Sequence, residues 1–138
     1  MKDIEVTRIL RFPREMVFLA LTDSAQLGAW LMPNDFRPVI GHCFTFQTRP
    51  APGFDGTVHC EVLELLPPER MVIRWQGGAL DTRVSFDLAE IAEGTRLTLK
   101  HTGFSGLANV IPRIALGFGW KDLLAKKLPG HLSAREKA

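Results

Sequence analysis

The sequence contains no tyrosine and only two cysteines, and no run of apolar residues in it is long enough to cross a membrane. Without tyrosine, one common proton donor is missing from any catalytic site. A membrane-spanning helix needs about 18 or more consecutive apolar residues, and residues 1–3 lead directly into strand-like sequence. We therefore expect neither a membrane span nor a signal peptide, and a soluble, cytoplasmic protein.

Neither sign of charge is in excess, since 17 Lys and Arg residues stand against 15 Asp and Glu residues and give a net charge of +2. The basic residues are scattered and form no stripe interleaved with aromatic residues. Both observations argue against nucleic acid and against a membrane surface as partners. With 138 residues, 46% of them hydrophobic, we expect one domain over residues 1–130 and a polar, frayed tail over 131–138.

The two cysteines are expected to stay reduced, because the sequence carries no secretory signal. If the segments around Cys43 and Cys60 form a hairpin closed by residues 50–56, Cys43 lies opposite Val62 and not opposite Cys60. That offset places the two thiols out of reach of a disulfide bond.

Catalytic and metal-binding patterns are absent from the sequence. It has no nucleophile elbow, no H-E-x-x-H, no phosphate-binding glycine loop and no evident Ser/His/Asp grouping. His42 and His59 belong to a residue type that binds zinc, but the hairpin register separates them by about 13 Å along the strands. We predict no catalytic residue, no metal and no cofactor.

Alternating apolar and polar residues dominate the first hundred positions. This pattern predicts antiparallel strands with one apolar and one solvated face, over residues 4–11, 42–48, 57–66, 71–75, 81–88 and 95–101. Residues 36–40 are short and interrupted by Pro38, so they form either an edge strand or a connection. Two short helices lie between the first and second strands. Pro13 suits the first turn of one, and Asp23 with Gln26 three residues later is typical of a helix N-terminus.

A single long helix is predicted over residues 109–129. Asn109 can cap it, and Pro112 is tolerated in a first turn, where backbone N–H groups have no intrahelical partner. The sequence Pro129-Gly130 is expected to end it. Because the apolar side of the sheet must be covered, this helix is the element expected to cover it.

The predicted helix has two apolar faces at 3.6 residues per turn. One face holds Leu116, Trp120, Leu123, Leu124 and Leu128. The nearly opposite face holds Ile111, Ile114, Ala115 and Phe118. Either the helix breaks near Gly117 and Gly119, or its first half presents apolar surface to a cavity rim, to the Phe54 loop or to a second subunit.

Several short motifs resemble one superfamily. The segment 17–23, VFLALTD, followed by Ala29-Trp30, resembles the opening signature of the START-like or SRPBCC superfamily, which contains Bet v allergens and polyketide cyclases. Within it, the chain is most similar to bacterial proteins resembling the C-terminal domain of the activator of heat-shock protein 90 ATPase. The matching segments are GHCFTF at 41–46, VLELLPPER at 62–70, IRW at 73–75, GTRL at 94–97 and Gly119-Trp120.

This resemblance implies an α+β helix-grip fold, in which a curved seven-stranded antiparallel sheet wraps around a long C-terminal helix. It also implies an apolar cavity between sheet and helix. A chaperone partner and a role in stress response are implied by the resemblance alone, since a fold hosts many activities.

Ten side chains are the candidates for contact with a ligand in that cavity. They are Trp30, Phe44, Phe46, Ile73, Trp75, Phe86, Leu99, His101, Phe118 and Trp120. The competing interpretation is that the aromatic members are ordinary core residues. His101 is the polar residue on an apolar strand face, and it is either a hydrogen-bonded structural histidine or a polar anchor for a ligand.

The expected function is that of a binding module for a small hydrophobic or amphipathic ligand, with self-association into a homodimer as a further expectation. A chaperone-associated interaction domain is the alternative. An enzyme similar to polyketide cyclases is the third interpretation, because such relatives catalyse reactions mainly by positioning the substrate.

Overall fold

The structure is a computed structural model that describes residues 1–137 and has an α+β architecture. Its first part contains β1 (Ile4–Leu10), α1 (Arg14–Thr22), α2 (Ser24–Trp30), β2 (Cys43–Gln47), β3 (Thr57–Leu66), β4 (Arg70–Gly77), β5 (Leu80–Ile91) and β6 (Gly94–Thr102). A 3₁₀ turn at Leu107–Asn109 then leads into α3 (Val110–Asp122), a π turn (Leu123–Lys127) and α4 (Leu128–Lys137).

The six strands form one antiparallel sheet in the order β1-β6-β5-β4-β3-β2. Its inner face carries the buried side chains of the alternating pattern, and the C-terminal helices cover that face. On β5, for example, Val84, Phe86 and Leu88 are buried whereas Asp81 and Arg83 are exposed. The predicted helix-grip fold class is therefore confirmed, with six strands instead of seven.

The seventh strand is missing at residues 36–40, where the sequence allows an edge strand or a connection, and the structure shows a connection. Proline at position 38 removes a backbone donor there, and the buried side chain of Phe36 joins the core instead. The preceding residues protect the edge of β2. The N–H of Thr45 donates to Asp35 Oδ1 at 2.7 Å, and the N–H of Gln47 donates to the Pro33 carbonyl at 3.0 Å.

The two short helices are positioned by their own sequence signals. The N–H of Gln26 donates to Asp23 Oδ2 at 3.1 Å, which confirms Asp23 as the cap of α2. The indole Nε1–H of Trp30 donates to the Ala20 carbonyl of α1 at 2.9 Å. This bond joins the two helices and occupies the polar atom of Trp30.

The register of β2 against β3 differs by one residue from the predicted hairpin. Cys43 lies opposite Glu61, and Phe44 lies opposite Cys60. Both cysteines are free, Cys43 exposed and Cys60 buried on the inner face. Burial raises the pKa of the Cys60 thiol, which keeps it protonated.

The predicted end of the C-terminal helix at Pro129 was wrong, and so was the frayed tail. The chain continues as α4 to Lys137, and Leu132 is fully buried. The proline is accommodated because a π turn precedes it, in which the N–H of Leu128 donates to the carbonyl of Leu123. In the same segment, His131 Nε2 lies 3.0 Å from Gln26 Oε1 of α2.

Replacing Leu132 by alanine measures how much the end of the chain contributes to stability. Because this side chain is 0% exposed, we expect Leu132→Ala to lower the free energy of unfolding by about 3 kcal/mol. The exposed Arg135→Ala in the same helix is the control and should change it by less than about 0.5 kcal/mol. Urea denaturation followed by circular dichroism measures both, and equal effects would mean that α4 is not docked in solution.

Candidate functional site

The centre of the inner face is a buried hydrogen-bonded group formed by three elements. His101 comes from β6, Thr82 from β5 and Trp120 from α3, and each is at most 2% exposed. Strand alternation places His101 inside, in line with Leu97 and Leu99. The helical repeat turns Trp120 towards the sheet.

Each polar atom of this group has a partner. The indole Nε1–H of Trp120 donates to His101 Nδ1 at 3.0 Å. Nδ1 therefore carries no proton in the neutral ring, and Nε2 carries it. The Nε2–H group donates to Thr82 Oγ1 at 2.7 Å, and the Thr82 hydroxyl donates to the Trp75 carbonyl at 2.9 Å. The hydrogen bonds thus run in one direction from Trp120 to Trp75.

Burial lowers the pKa of His101 to about 3. The bond from Trp120 acts in the same direction, because an imidazolium would present an N–H group to the indole N–H group. The imidazole is therefore neutral at physiological pH, with both nitrogens occupied. In this conformation it can neither give nor take a proton without breaking a hydrogen bond, which makes it a structural histidine.

Aromatic rings surround the group. The ring centroids of Trp75 and Trp120 are 5.5 Å apart, those of Phe46 and Trp75 are 5.7 Å apart, and those of Phe86 and Trp120 are 6.1 Å apart. The ring of Phe104 packs against the imidazole of His101, with the ring centroids 4.7 Å apart. We call this set the aromatic cluster: Phe46, Trp75, Thr82, Phe86, His101, Phe104 and Trp120.

The aromatic cluster brings together five of the ten predicted ligand-contacting residues. Four others are buried nearby in the same core, namely Trp30, Phe44, Ile73 and Leu99. Phe118 is 73% exposed, although Trp120 two residues later is buried. In this conformation Phe118 lies on the outer side of α3, as its opposite helical phase predicted.

Two members of the aromatic cluster were missed from the sequence. Thr82 lies in phase with Val84 and Phe86, so the alternation of β5 could have placed it on the inner face. Phe104 follows the end of β6 and carries no periodic signal. Its burial depends on the turn after the strand.

Surface grooves lie away from the aromatic cluster. Three of them have volumes of about 310, 610 and 480 Å³, and none of these three is lined by Trp75, His101 or Trp120. The 610 Å³ groove runs beside Phe54, whose ring packs on Gly77. The tip of this loop is therefore docked on the end of β4.

Metal ligands do not converge in the part of the chain that the structure describes. Within residues 1–137, no three His, Cys, Asp or Glu side chains meet in a group that could hold an ion. His42 Nε2 lies 3.0 Å from the Asp35 carbonyl oxygen. Over the same residues, no helix combines the length and the apolar character needed to cross a membrane.

Comparisons with known proteins give one family match and several structural matches. The family described as Activator of Hsp90 ATPase homolog 1-like protein matches residues 11–133. Protein MLL2253 from Mesorhizobium loti is 27% identical with a TM-score of 0.87, covering 96% of this chain and 98% of its own. Protein BH1534 from Bacillus halodurans is 26% identical with a TM-score of 0.80, covering 96% and 97%.

A third structural match is similar in fold alone. It is the Aha1 dimer from Colwellia psychrerythraea, which is 18% identical with a TM-score of 0.76, covering 91% of this chain and 92% of its own. No curated protein matches the sequence significantly.

Proposed function

Since the chain belongs to the family of Activator of Hsp90 ATPase homolog 1-like proteins, we propose that it binds a small apolar or amphipathic ligand between its sheet and its C-terminal helix. Ligand sites in proteins are mostly apolar and contain few, well-placed polar groups. The aromatic cluster has this composition, with one imidazole, one hydroxyl and two indoles among apolar rings.

The observation that carries the proposal is the weak attachment of the helix over the aromatic cluster. Of the thirteen residues of α3, only Trp120 is buried. Polar bonds hold the start of the helix. The amide of Asn109 donates to the Ala79 carbonyl at 3.1 Å, and the guanidinium of Arg113 donates to backbone carbonyls near the N-terminus. A segment held by few buried contacts opens at low free-energy cost.

Ligand entry requires α3 to move, because Trp120 fills the space between Trp75 and Phe86 in this conformation. Gly117, Gly119 and the following π turn are the points where α3 can bend. The proposed ligand contacts are the ten predicted residues, with Phe118 at the rim: Trp30, Phe44, Phe46, Ile73, Trp75, Phe86, Leu99, His101, Phe118 and Trp120.

Stiffening α3 should slow the entry of a ligand. A Cβ atom added at Gly117, Gly119 or Gly130 meets no atom within 4 Å outside the backbone of its own helix, so alanine is tolerated at each position. We expect Gly117→Ala with Gly119→Ala to raise the free energy of unfolding by about 1–2 kcal/mol. We expect the same double variant to slow the binding of 8-anilinonaphthalene-1-sulfonate several-fold in stopped-flow fluorescence.

The matched control is Gly130→Ala, which adds the same helix propensity in α4, beyond the π turn. This variant should raise the free energy of unfolding without slowing the binding of 8-anilinonaphthalene-1-sulfonate. Equal binding rates for the wild type and the double variant would contradict the role of α3 as a moving cover. Native mass spectrometry of freshly purified protein tests the ligand itself, since a bound small molecule adds its mass to the chain.

A second proposal concerns protein partners and is favoured by the exposed apolar side of α3. The dimeric Aha1 of Colwellia psychrerythraea supports a homodimer for this chain. The family description supports a chaperone contact, which an unchanged ATPase rate of Hsp90 in the presence of this protein would exclude. A cytoplasmic location and a role in stress response are part of this proposal.

A further inference from the structure

Four large apolar side chains point outward in one line along α3 and the turn before it. Leu107 is 92% exposed, Ile111 78%, Ile114 50% and Phe118 73%. At about 100° per residue the three that lie in α3 fall within about 60° of arc, and Leu107 precedes them in the 3₁₀ turn. We call these four residues the outer stripe. Trp120 lies on the other side of the helix, so the outer stripe makes no contribution to the core.

The outer stripe lies in an uncharged stretch of the surface. Between residues 105 and 120, Arg113 is the single charged side chain. Its guanidinium turns away from the stripe to the carbonyls of Lys2 and Asp3. The four side chains of the stripe are therefore surrounded by uncharged residues except at its end, where Lys121 and Asp122 lie beside Phe118. An uncharged centre with charges at the edge is the character of a protein interface.

The spacing of residues along the outer stripe is the same when the chain is read in either direction. The steps from Leu107 to Ile111, to Ile114 and to Phe118 are four, three and four residues. If two copies of α3 pack antiparallel about a twofold axis, Leu107 of one lies opposite Phe118 of the other. Ile111 likewise lies opposite Ile114. A two-fold interface requires a surface that is complementary to itself, and this spacing provides one.

We propose that the outer stripe is the surface through which two copies of this chain associate, as an antiparallel pair of α3 helices. The inference rests on the homodimer proposed above and gives that homodimer its contact surface. It does not depend on ligand binding. An interfacial membrane helix would instead be rich in Lys and Arg beside its apolar face, and here only Lys121 lies next to the stripe.

The exposed area agrees with a weak, reversible dimer. At about 200 Å² for a fully exposed large apolar residue, the exposed fractions of the outer stripe and Val110 amount to roughly 600 Å² per chain. A stable dimer buries about 800 Å² per partner. Ala108 and Ala115 flank the stripe and let the two helices approach closely. We expect a monomer–dimer equilibrium in the micromolar range.

Sedimentation velocity of the full chain over a concentration series tests the proposal. The wild type should dimerise, and Phe118→Glu should weaken the dimer at least about 100-fold, because it buries an unpaired carboxylate. Leu66→Glu is the matched control, since Leu66 is 53% exposed on β3, and its dimer should equal that of the wild type. Circular dichroism should show both variants folded, because both sites face solvent.

A charge-pairing experiment tests the antiparallel arrangement. Ile111→Lys and Ile114→Glu should each weaken self-association when studied alone. A mixture of the two variants should associate at least about tenfold more tightly than either, because one lysine then faces one glutamate and the other Ile111–Ile114 contact is intact. Parallel helices would bring neither pair together, and the mixture would show no gain.

The outcomes distinguish a failure of the proposed contact surface from a failure of the proposed homodimer. A wild type that stays monomeric at millimolar concentration overturns both. If the wild type dimerises and Phe118→Glu does not weaken the dimer, the outer stripe is not the contact surface, although the homodimer itself stands. Flotation with phosphatidylcholine–phosphatidylglycerol vesicles is the second measurement, and vesicle binding by the wild type but not by Phe118→Glu would assign the stripe to a lipid surface instead.

Discussion

Lowering the pH from 8 to 4 is expected to reduce the free energy of unfolding by about 3 kcal/mol through His101 alone. The folded chain holds this imidazole neutral with a pKa of about 3, whereas the unfolded chain has the usual value of about 6.5. Between these values the unfolded chain binds a proton that the folded chain does not. The contribution of His101 to the free energy of unfolding is therefore fully present above a pH of about 6.5 and is lost as the pH falls towards 3.

The contribution of His101 is isolated by comparison with His101→Leu, which cannot titrate. The variant is less stable overall, because the Trp120 indole loses its acceptor, but its stability should depend less on pH than that of the wild type. Parallel profiles for the wild type and His101→Leu would mean that His101 titrates normally in the folded chain.

Nitrogen NMR of the imidazole provides an independent measurement of the same group. The bond from Trp120 to Nδ1 requires the proton of neutral His101 to lie on Nε2. This tautomer should persist down to the pH at which the protein unfolds. A protonated Nδ1 at neutral pH would contradict the direction of the hydrogen bonds from Trp120 to Trp75.

Trp120→Ala is expected to lower the free energy of unfolding by about 4 kcal/mol, the largest effect of any single truncation considered for this chain. The substitution removes a 2% exposed indole that contacts Trp75, Phe86 and His101. It also removes the donor to His101 Nδ1 and leaves that nitrogen buried without a partner. Urea denaturation followed by far-ultraviolet circular dichroism measures the loss.

Phe118→Ala is the matched control, two residues away on the same helix. Its ring is 73% exposed, so we expect a change of less than about 0.5 kcal/mol. Trp120→Phe separates packing from hydrogen bonding, because it keeps most of the ring and removes the N–H group. A loss of about 1–2 kcal/mol is expected for it. Similar losses for Trp120→Ala and Phe118→Ala would show that α3 is not held against the sheet in solution.

The sequence predicts features that depend on local periodicity. Alternation predicts the six strands, the spacing of Asp23 and Gln26 predicts a helix N-terminus, and helical phase separates Trp120 from Phe118, all as the structure has them. In each case the signal lies within about ten residues. Such short-range patterns determine which side chains of a strand or helix face inward.

Features that depend on distant segments were not predictable. The sequence leaves the segment 36–40 as either an edge strand or a connection, because Pro38 interrupts it, and nothing local indicates that Phe36 is buried in the core. The end of the chain has little amphipathic character, so nothing local indicated that Leu132 reaches the core. The partners of His101 lie on β5 and α3, 19 residues away in each direction, and their distances follow from the sheet register and helix docking.

In the candidate site, too, local sequence patterns predict some features and not those that depend on distant segments. Composition and alternation predicted a set of inward aromatic residues, and the structure places most of them in one core. Whether such residues surround a space or fill it depends on how the rings interlock, and alternation carries no information about that. Trp120, which the sequence suggests as a ligand contact in a cavity, instead fills the space between Trp75 and Phe86.

The π turn has a consequence for the phase of the C-terminal helix. Trp120, Leu124, Leu128 and Leu132 are all buried and are spaced four residues apart. In an unbroken α-helix each step of four residues drifts by about 40°, so Leu132 would be turned about 120° away from Trp120. The wider turn between Leu124 and Leu128 winds more slowly and cancels much of this drift. A single extra residue thus lets one continuous helix keep its apolar edge directed at the sheet in α3 and at α1 and α2 in α4.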